Sequence, residues 1–455
     1  METGACDSVS STELQLYVIA ATLISVLLVA RWLLSRQGRS LGVGLQLAYL
    51  GSFWVNHWVG AAANALPWYC GSAQQNTALG ARESLVGLAA FAATSLLLSF
   101  LLRKQRTGNE SSIGRHDTLP RTIFYAGAAC YVLLTPLGGI ASLTAVVSVG
   151  QNFALAGICL LIFQAWTAKN KVAASRWFMV AACIPVLTVV SSGFIGYGIA
   201  ALMAILCFVV YNSPRQQLRR LVLLSPVILY AGLSVYVTYM RDRNKVRESV
   251  WGGSAISARF DQIVSTFSEF ELFSPYESKH LDHIDERLNQ NHLVGAAVVY
   301  TGHSTQRANG ETIINAFLAM IPRIVWPNKP AVGGSGDLVT RYTGITFTDG
   351  TSVGIGQVLE FYINFGTASV AAGFAFFAAI LALVDLRART ALDQADSVGF
   401  AGFYVLGMAF QQLGGSLMEV AASAAASLFI ITALRWFLRA QAKRRAAGAL
   451  PALAS

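Results

Sequence analysis

Leu221-Val-Leu-Leu-Ser-Pro-Val-Ile-Leu-Tyr-Ala-Gly-Leu-Ser-Val-Tyr-Val-Thr-Tyr-Met240 runs without a break into Arg241-Asp-Arg-Asn-Lys-Val-Arg247. The first part carries no charge and matches the ~20 apolar residues needed to cross a ~30 Å hydrocarbon core as a helix. Lipid offers a backbone amide no partner, so an uninterrupted apolar run of this length is a membrane helix. A barrel strand would alternate apolar and polar residues. The second part marks where the helix leaves lipid.

The same pattern recurs outward in both directions. Of the 455 residues, 55% are hydrophobic and 12% charged, too apolar and too charge-poor for an ordinary soluble domain. Eleven spans are expected, near 13–34, 41–62, 84–102, 122–137, 151–166, 174–190, 193–211, 221–239, 365–386, 398–413 and 420–438. The fold class is therefore an all-α polytopic membrane protein. Its divisions are an eight-helix bundle over 1–239, a polar segment over 240–364 with short helices and re-entrant elements, and three helices plus a basic tail over 365–455.

The net charge of +10 reads as a topology signal, and no nucleic-acid partner is expected. Arg31, Arg36 and Arg39, then Arg103, Lys104, Arg106, Arg115 and Arg121, then Lys169, Lys171 and Arg176, then Arg215, Arg219 and Arg220 fall in alternate connections. Arg387 and Arg389 continue the series, as do Arg435, Arg439, Lys443, Arg444 and Arg445 of the tail, while the short intervening connections hold only Arg82. Basic residues stay cytoplasmic, so the amino terminus and 240–364 are expected outside, and the carboxyl terminus inside. No basic n-region precedes the first span, which reads as a retained anchor. Cys130, Cys159, Cys183 and Cys207 fall in spans as small packing residues. Cys6 and Cys70 fall outside, where an oxidising compartment would allow them to pair.

Residues 240–364 hold 13 of the 23 acidic residues and four of the six histidines, so chemistry belongs here if anywhere. If the eighth span stays helical, Arg243 and Arg247 share a face with Arg241 and Lys245 nearby, and guanidinium forks suit a phosphate at the headgroup level. A collar of snorkelling side chains is the alternative. In Ala316-Phe-Leu-Ala-Met-Ile-Pro-Arg-Ile-Val-Trp-Pro-Asn-Lys-Pro330, three prolines make a rigid bend that presents Arg323, Trp326 and Lys329. That set suits a sugar on the indole and a phosphate on the arginine, or an interfacial aromatic anchor. Arg341 is a further candidate for binding substrate. Gln357, Glu360 and Asn364 line one helical face, and Glu360 is either functional or paired with a loop arginine.

His280, His283, His292 and His303 do not make a metal site by spacing, because no thiols recur beside them and Glu277, Asp282, Asp285 and Glu286 read as an exposed helix face. Neither Gly193–Gly198 nor Gly333–Gly336 follows a strand, so neither reads as a nucleotide cradle. Asn56 and His57, between Trp54 and Trp58, suit an interhelical hydrogen bond.

The arginine run after a late span, the turn Ile321-Pro-Arg-Ile-Val-Trp-Pro-Asn-Lys-Pro330 and Glu360-Phe-Tyr-Ile-Asn-Phe-Gly366, set in this layout, resemble the Wzy-type polymerases of O-antigens and exopolysaccharides. The resemblance implies a fold similar to C-type glycosyltransferases and a cofactor-free, metal-independent transfer at the periplasmic face of the bacterial inner membrane. The growing glycan would leave undecaprenyl pyrophosphate for a sugar hydroxyl on a second lipid-linked repeat unit. Arg241, Arg243, Arg247, Arg323, Trp326, Lys329 and Arg341 would bind substrate, and the general base would be Glu360, His303 or no side chain at all. Membrane lipids, a chain-length regulator and export proteins are the implied partners. An O-antigen ligase would share the chemistry. A flippase for lipid-linked oligosaccharide is the reading from another class, but no internal repeat appears and the charges avoid the span centres.

Overall fold

The computed structural model describes residues 8–34, 42–71, 73–102, 117–134, 141–213, 215–303, 307–321, 326, 335–347 and 353–448. All regular structure among them is helical. Among the described residues, eight helices are long and apolar enough to cross a membrane: Ser11–Leu33, Gln74–Leu101, Val147–Thr167, Lys171–Ser192, Ile195–Asn212, Leu218–Trp251, Thr367–Asp393 and Leu417–Phe437. The remaining three expected spans are helical but shorter or broken.

In chain order the elements begin α1 (Ser8–Leu34), α2 (Leu45–Phe53), a π turn (Trp54–Trp58), α3 (Val59–Asn64), α4 (Gln74–Leu101), α5 (Leu119–Leu134) and α6 (Ala141–Thr167). Next come α7 (Lys171–Ala182), α8 (Ile184–Ser192), α9 (Ile195–Asn212) and α10 (Arg215–Trp251). The polar segment supplies α11 (Ile256–Ser268), α12 (Ser278–Leu288), α13 (Asn291–His303), α14 (Glu311–Ala319), α15 (Ser335–Thr343) and α16 (Gln357–Phe365). It is followed by α17 (Thr367–Asp393), α18 (Ser397–Ala409) and α19 (Leu417–Gly448).

Two expected boundaries move. The third span begins at Gln74, which places Arg82 two turns inside α4, and α10 continues past its apolar part to Trp251. The sixth span is split near Pro185, whose ring and missing N–H break the ladder between α7 and α8.

Residues 240–364 do not stand apart as a loop. One hydrophobic core joins Leu14, Tyr49 and Phe91 to Leu293, Val339 and Val358 of the polar segment and to Phe374 and Val420 beyond it. Helix α13 lies against α4 because both carry glycine at the crossing. A Cβ at Gly80 would overlap the Asn291 carbonyl, and one at Gly295 would overlap that of Asn76. The π turn receives the α12–α13 corner. One extra residue per turn frees carbonyls, so Asn56 O accepts from Gln290 N at 2.8 Å and His57 O accepts from Asn291 Nδ2 at 2.6 Å. His57 Nδ1 in turn meets Asn291 Oδ1 at 3.0 Å, the interhelical bond expected of it.

Helix ends sort into two sets. At one end Gln15 Nε2 donates to Ala65 O, Trp68 Nε1 to Pro275 O and Tyr69 Oη to Asp282 Oδ1, at 3.0, 2.8 and 2.9 Å. At the other end the Asp385 carboxylate accepts Val43 N at 2.7 Å and Leu45 N at 3.2 Å, capping α2, while Arg389 Nη1 donates to Asn212 Oδ1 at 3.0 Å. The first set joins connections that the charge pattern assigns to one face. The second joins those assigned to the other.

Candidate functional site

The arginine run divides by helical geometry. Successive residues turn by about 100°, so Arg241 and Lys245 share one face of α10, and Arg243 and Arg247 share a face roughly 160° away. On the first face every charge is used. Asp242 pairs with Arg241 Nη2 and with Lys245 Nζ, each at 2.9 Å, and Glu271 accepts Arg241 Nη1 at 2.6 Å. The Arg241 guanidinium holds the Glu271 carboxyl below the usual carboxylate range. Arg241 also donates to Glu269 O at 2.7 Å and Thr266 O at 3.1 Å, so it serves as a bolt between α10 and α11 and is not available to a phosphate.

Arg243 and Arg247 are different. The guanidinium of Arg287, from α12, lies near enough for its charge to act on both of them, Tyr239 is within the same range of all three, and Tyr236 is within range of Arg243 and Arg287. Among the described residues, none of the three arginines has a carboxylate within ion-pair distance. The Nε atoms of Arg247 and Arg287 are buried without a partner. Arg247 is held in place by rings instead, its Cζ lying 4.4 Å from the Phe194 centroid and 4.9 Å from that of Trp251. Three half-buried cations are thus brought together with no carboxylate among the described residues within ion-pair distance, an arrangement that suits an anion.

Arg287 was not among the residues named from the sequence. Its helix was read as an exposed face, yet Leu281 and Ile284 are buried, and Arg287 lies three residues past Ile284 on that inward side. The apolar spacing 281, 284, 288 is the signal that could have found it. The histidines before it are structural where their contacts are seen: His280 Nδ1 accepts from Ser274 N at 3.1 Å and Nε2 faces Glu271 at 3.4 Å.

The polar stripe of α16 is buried, and each member is tied to a different neighbour. Gln357 Oε1 accepts the Tyr49 hydroxyl at 2.7 Å, and Asn364 Oδ1 accepts Gly310 N at 2.8 Å. Glu360, 1% exposed, accepts Leu417 N at 2.6 Å and so caps α19. Burial pushes its carboxyl up to about 7, against the opposing pull of Leu417 N–H and the Thr312 hydroxyl. Among the described residues Glu360 thus meets no arginine, and its carboxylate faces a helix terminus where a general base would need to face substrate.

The other named residues are dispersed. Arg341 pairs with Glu311 at 3.4 Å on α14. Trp326 is half-buried, while Arg323, Lys329 and the side chain of His303 lie outside the described residues. Arg259 donates to Ser254 O at 2.9 Å and Val190 O at 3.2 Å. Cys70 is disulfide-bonded and Cys130, Cys159, Cys183 and Cys207 are free thiols; Cys6, its expected partner, lies outside the described residues.

The family model of a domain of unknown function, DUF8712, matches residues 67–414. The chain belongs to the DUF8712 family. No curated protein and no solved structure matches it. The DUF8712 match takes in Arg243, Arg247, Arg287 and Glu360 but stops before α19, the helix that Glu360 caps.

Proposed function

We propose that this DUF8712 protein is an oligosaccharide repeat-unit polymerase that transfers a growing glycan from undecaprenyl pyrophosphate to a second lipid-linked unit. One observation carries the reading: Arg243, Arg247 and Arg287 converge, unneutralised, where α10 leaves its apolar part. In the transfer, the bond from the anomeric carbon to the pyrophosphate oxygen breaks and its electron pair goes to the pyrophosphate. The acceptor hydroxyl oxygen bonds the anomeric carbon and gives up its proton. Fixed guanidinium groups act on the charge that develops on the leaving pyrophosphate. Glu360 is reassigned from base to positioning group, because its carboxylate is engaged by α19. Of the two groups named from the sequence, His303 remains for the acceptor proton.

The same reading takes eleven crossings, an amino terminus and residues 240–364 on the periplasmic face of the bacterial inner membrane, and a cytoplasmic carboxyl terminus. A disulfide at Cys70 suits an oxidising compartment, and Tyr69 next to it bonds Asp282 of the polar segment. The charge pattern assigns the basic connections to the opposite face, in keeping with cytoplasmic retention. Membrane lipids, a chain-length regulator and export proteins are the partners this reading brings.

The test is incubation of purified full-length protein with radiolabelled undecaprenyl-pyrophosphate-linked repeat unit, resolved by gel. A ladder is expected, reduced about 10²-fold by Arg243→Ala. A single transfer to lipid A core would point to a ligase instead. Absence of any product from wild-type protein with a range of repeat units would refute the polymerase.

A further inference from the structure

Helix α11 carries an apolar stripe that none of the described residues covers. Ile256, Phe260 and Val264, spaced four apart, are 65%, 41% and 65% exposed. On the adjoining arc Ile263 and Thr266 are buried against α10 and α8. The opposite arc is polar, made of Ser257, Asp261, Ser265 and Ser268. Three surfaces are thus divided around one short helix: protein, water, and a third that is apolar and open.

The stripe is held rigidly. At the carboxyl end of α11, Arg241 donates to Thr266 O and Glu269 O, while Glu271 N donates to the Thr238 hydroxyl at 3.0 Å. Toward the amino end, Arg259 spans from its own helix to Val190 O, at the end of α8. Guanidinium-to-carbonyl bonds at both ends fix the rotation of the helix, and with it the direction of the stripe. A helix that merely happened to expose three apolar side chains would not need its rotation fixed at both ends.

The two helices packed against α11 expose further apolar residues. Val186 and Leu187 of α8 are exposed, and α10 is exposed on all sides from Val222 to Tyr230 within its membrane-crossing part. Trp251, Phe270 and Leu272, exposed at the two ends of α11, supply the bulky amphipathic and apolar groups that favour a membrane–water interface. No charged residue interrupts the stripe, which argues against a polar protein partner.

We infer that α11 is an interfacial anchor whose Ile256–Phe260–Val264 face lies in the acyl and glycerol region of the bilayer. Because Arg241 joins α11 to the turn of α10 that carries Arg243, the anchor fixes the height of the guanidinium cluster relative to the lipid phosphates. This contact does not depend on the transfer reaction and is read without turnover.

The experiment places a fluorescent, environment-sensitive amino acid at Phe260, Val264, Asp261 or Ser265 in full-length protein reconstituted in vesicles. Quenching is compared between phosphatidylcholine brominated near the glycerol end of its acyl chains and aqueous iodide. The ratio of lipid to iodide quenching is expected to be at least threefold higher at 260 and 264 than at 261 and 265. Equal ratios at the four positions, or iodide quenching dominant at 260 and 264, would overturn the anchor. Protection of 260 and 264 from both quenchers would also overturn it, showing a second copy or another protein on this face. Two reporters on the stripe keep the comparison interpretable should one substitution prevent folding.

Discussion

The guanidinium cluster makes a prediction of opposite sign for stability and for binding. Arg287→Ala removes one of three like charges that have no carboxylate to neutralise them. At separations on the order of 6 to 10 Å and an effective dielectric of about 20, each like-charge pair repels by roughly 2 to 3 kcal/mol. These side chains are only half-buried, so solvent and salt reduce the relief to about 1 kcal/mol. In a chain of this size that raises the unfolding midpoint of the empty protein by on the order of 1 °C. A charge-assisted hydrogen bond is worth about 1.5 to 3 kcal/mol, so the same substitution weakens the hold on a pyrophosphate by roughly 10- to 100-fold. Arg241→Ala serves as the contrast. It leaves Asp242 to Lys245 and Glu271 to His280 and unbolts α11, and it lowers the midpoint by a few degrees. The assay is thermal unfolding followed by intrinsic tryptophan fluorescence in detergent, with and without undecaprenyl pyrophosphate, at low and high salt. A lowered midpoint for Arg287→Ala together with unchanged stabilisation by the lipid would refute the idea that this cluster is an anion site.

The buried carboxyl of Glu360 gives a pH dependence. Its folded value near 7 exceeds the ordinary 4.5, so the folded protein keeps a proton that the unfolded chain has lost between those values. Its contribution to stability is full below pH 4.5 and is lost as the pH rises through 7, a change of about 3 kcal/mol; unfolding midpoints from pH 5 to 8 should fall less in Glu360→Gln than in wild type. Gly80→Ala and Gly295→Ala each press a methyl group into a carbonyl across the α4–α13 crossing, and each should cost about 1 to 3 kcal/mol or more, read as a lowered unfolding midpoint against Ala at exposed Gly302. Asp385→Ala leaves the first amides of α2 without their acceptor and should destabilise by about 1 to 2 kcal/mol, with Asp385→Asn recovering part of the loss. Mass spectrometry of protein purified without reductant should find Cys70 blocked to thiol reagents, and a freely labelled Cys70 would contradict its disulfide.

Much of this molecule is legible in the sequence because a bilayer leaves few options. Apolar runs such as 221–240 have to be helices, since lipid satisfies no backbone group, and the helices lie where those runs are. The division of the arginine run into two faces was also present in the spacing 241, 243, 245, 247, given 100° per residue. What the spacing could not give was the partner of each face. Asp242 stands next to Arg241, but Glu271, which completes the first face, and Arg287, which joins the second, come from 30 positions past Arg241 and 44 past Arg243, and only the packing of the segments after α10 decides that. Glu360 shows the same limit. A polar stripe beside lipid must find partners, which its sequence stated, but whether the partner is an arginine, a substrate or the amide of Leu417 depends on which helix terminus the fold brings there. Local sequence settles what each segment must bury; the tertiary structure alone settles what it is buried against, because hydrogen bonds and charge pairs reach only a few ångströms across elements that lie far apart in the chain.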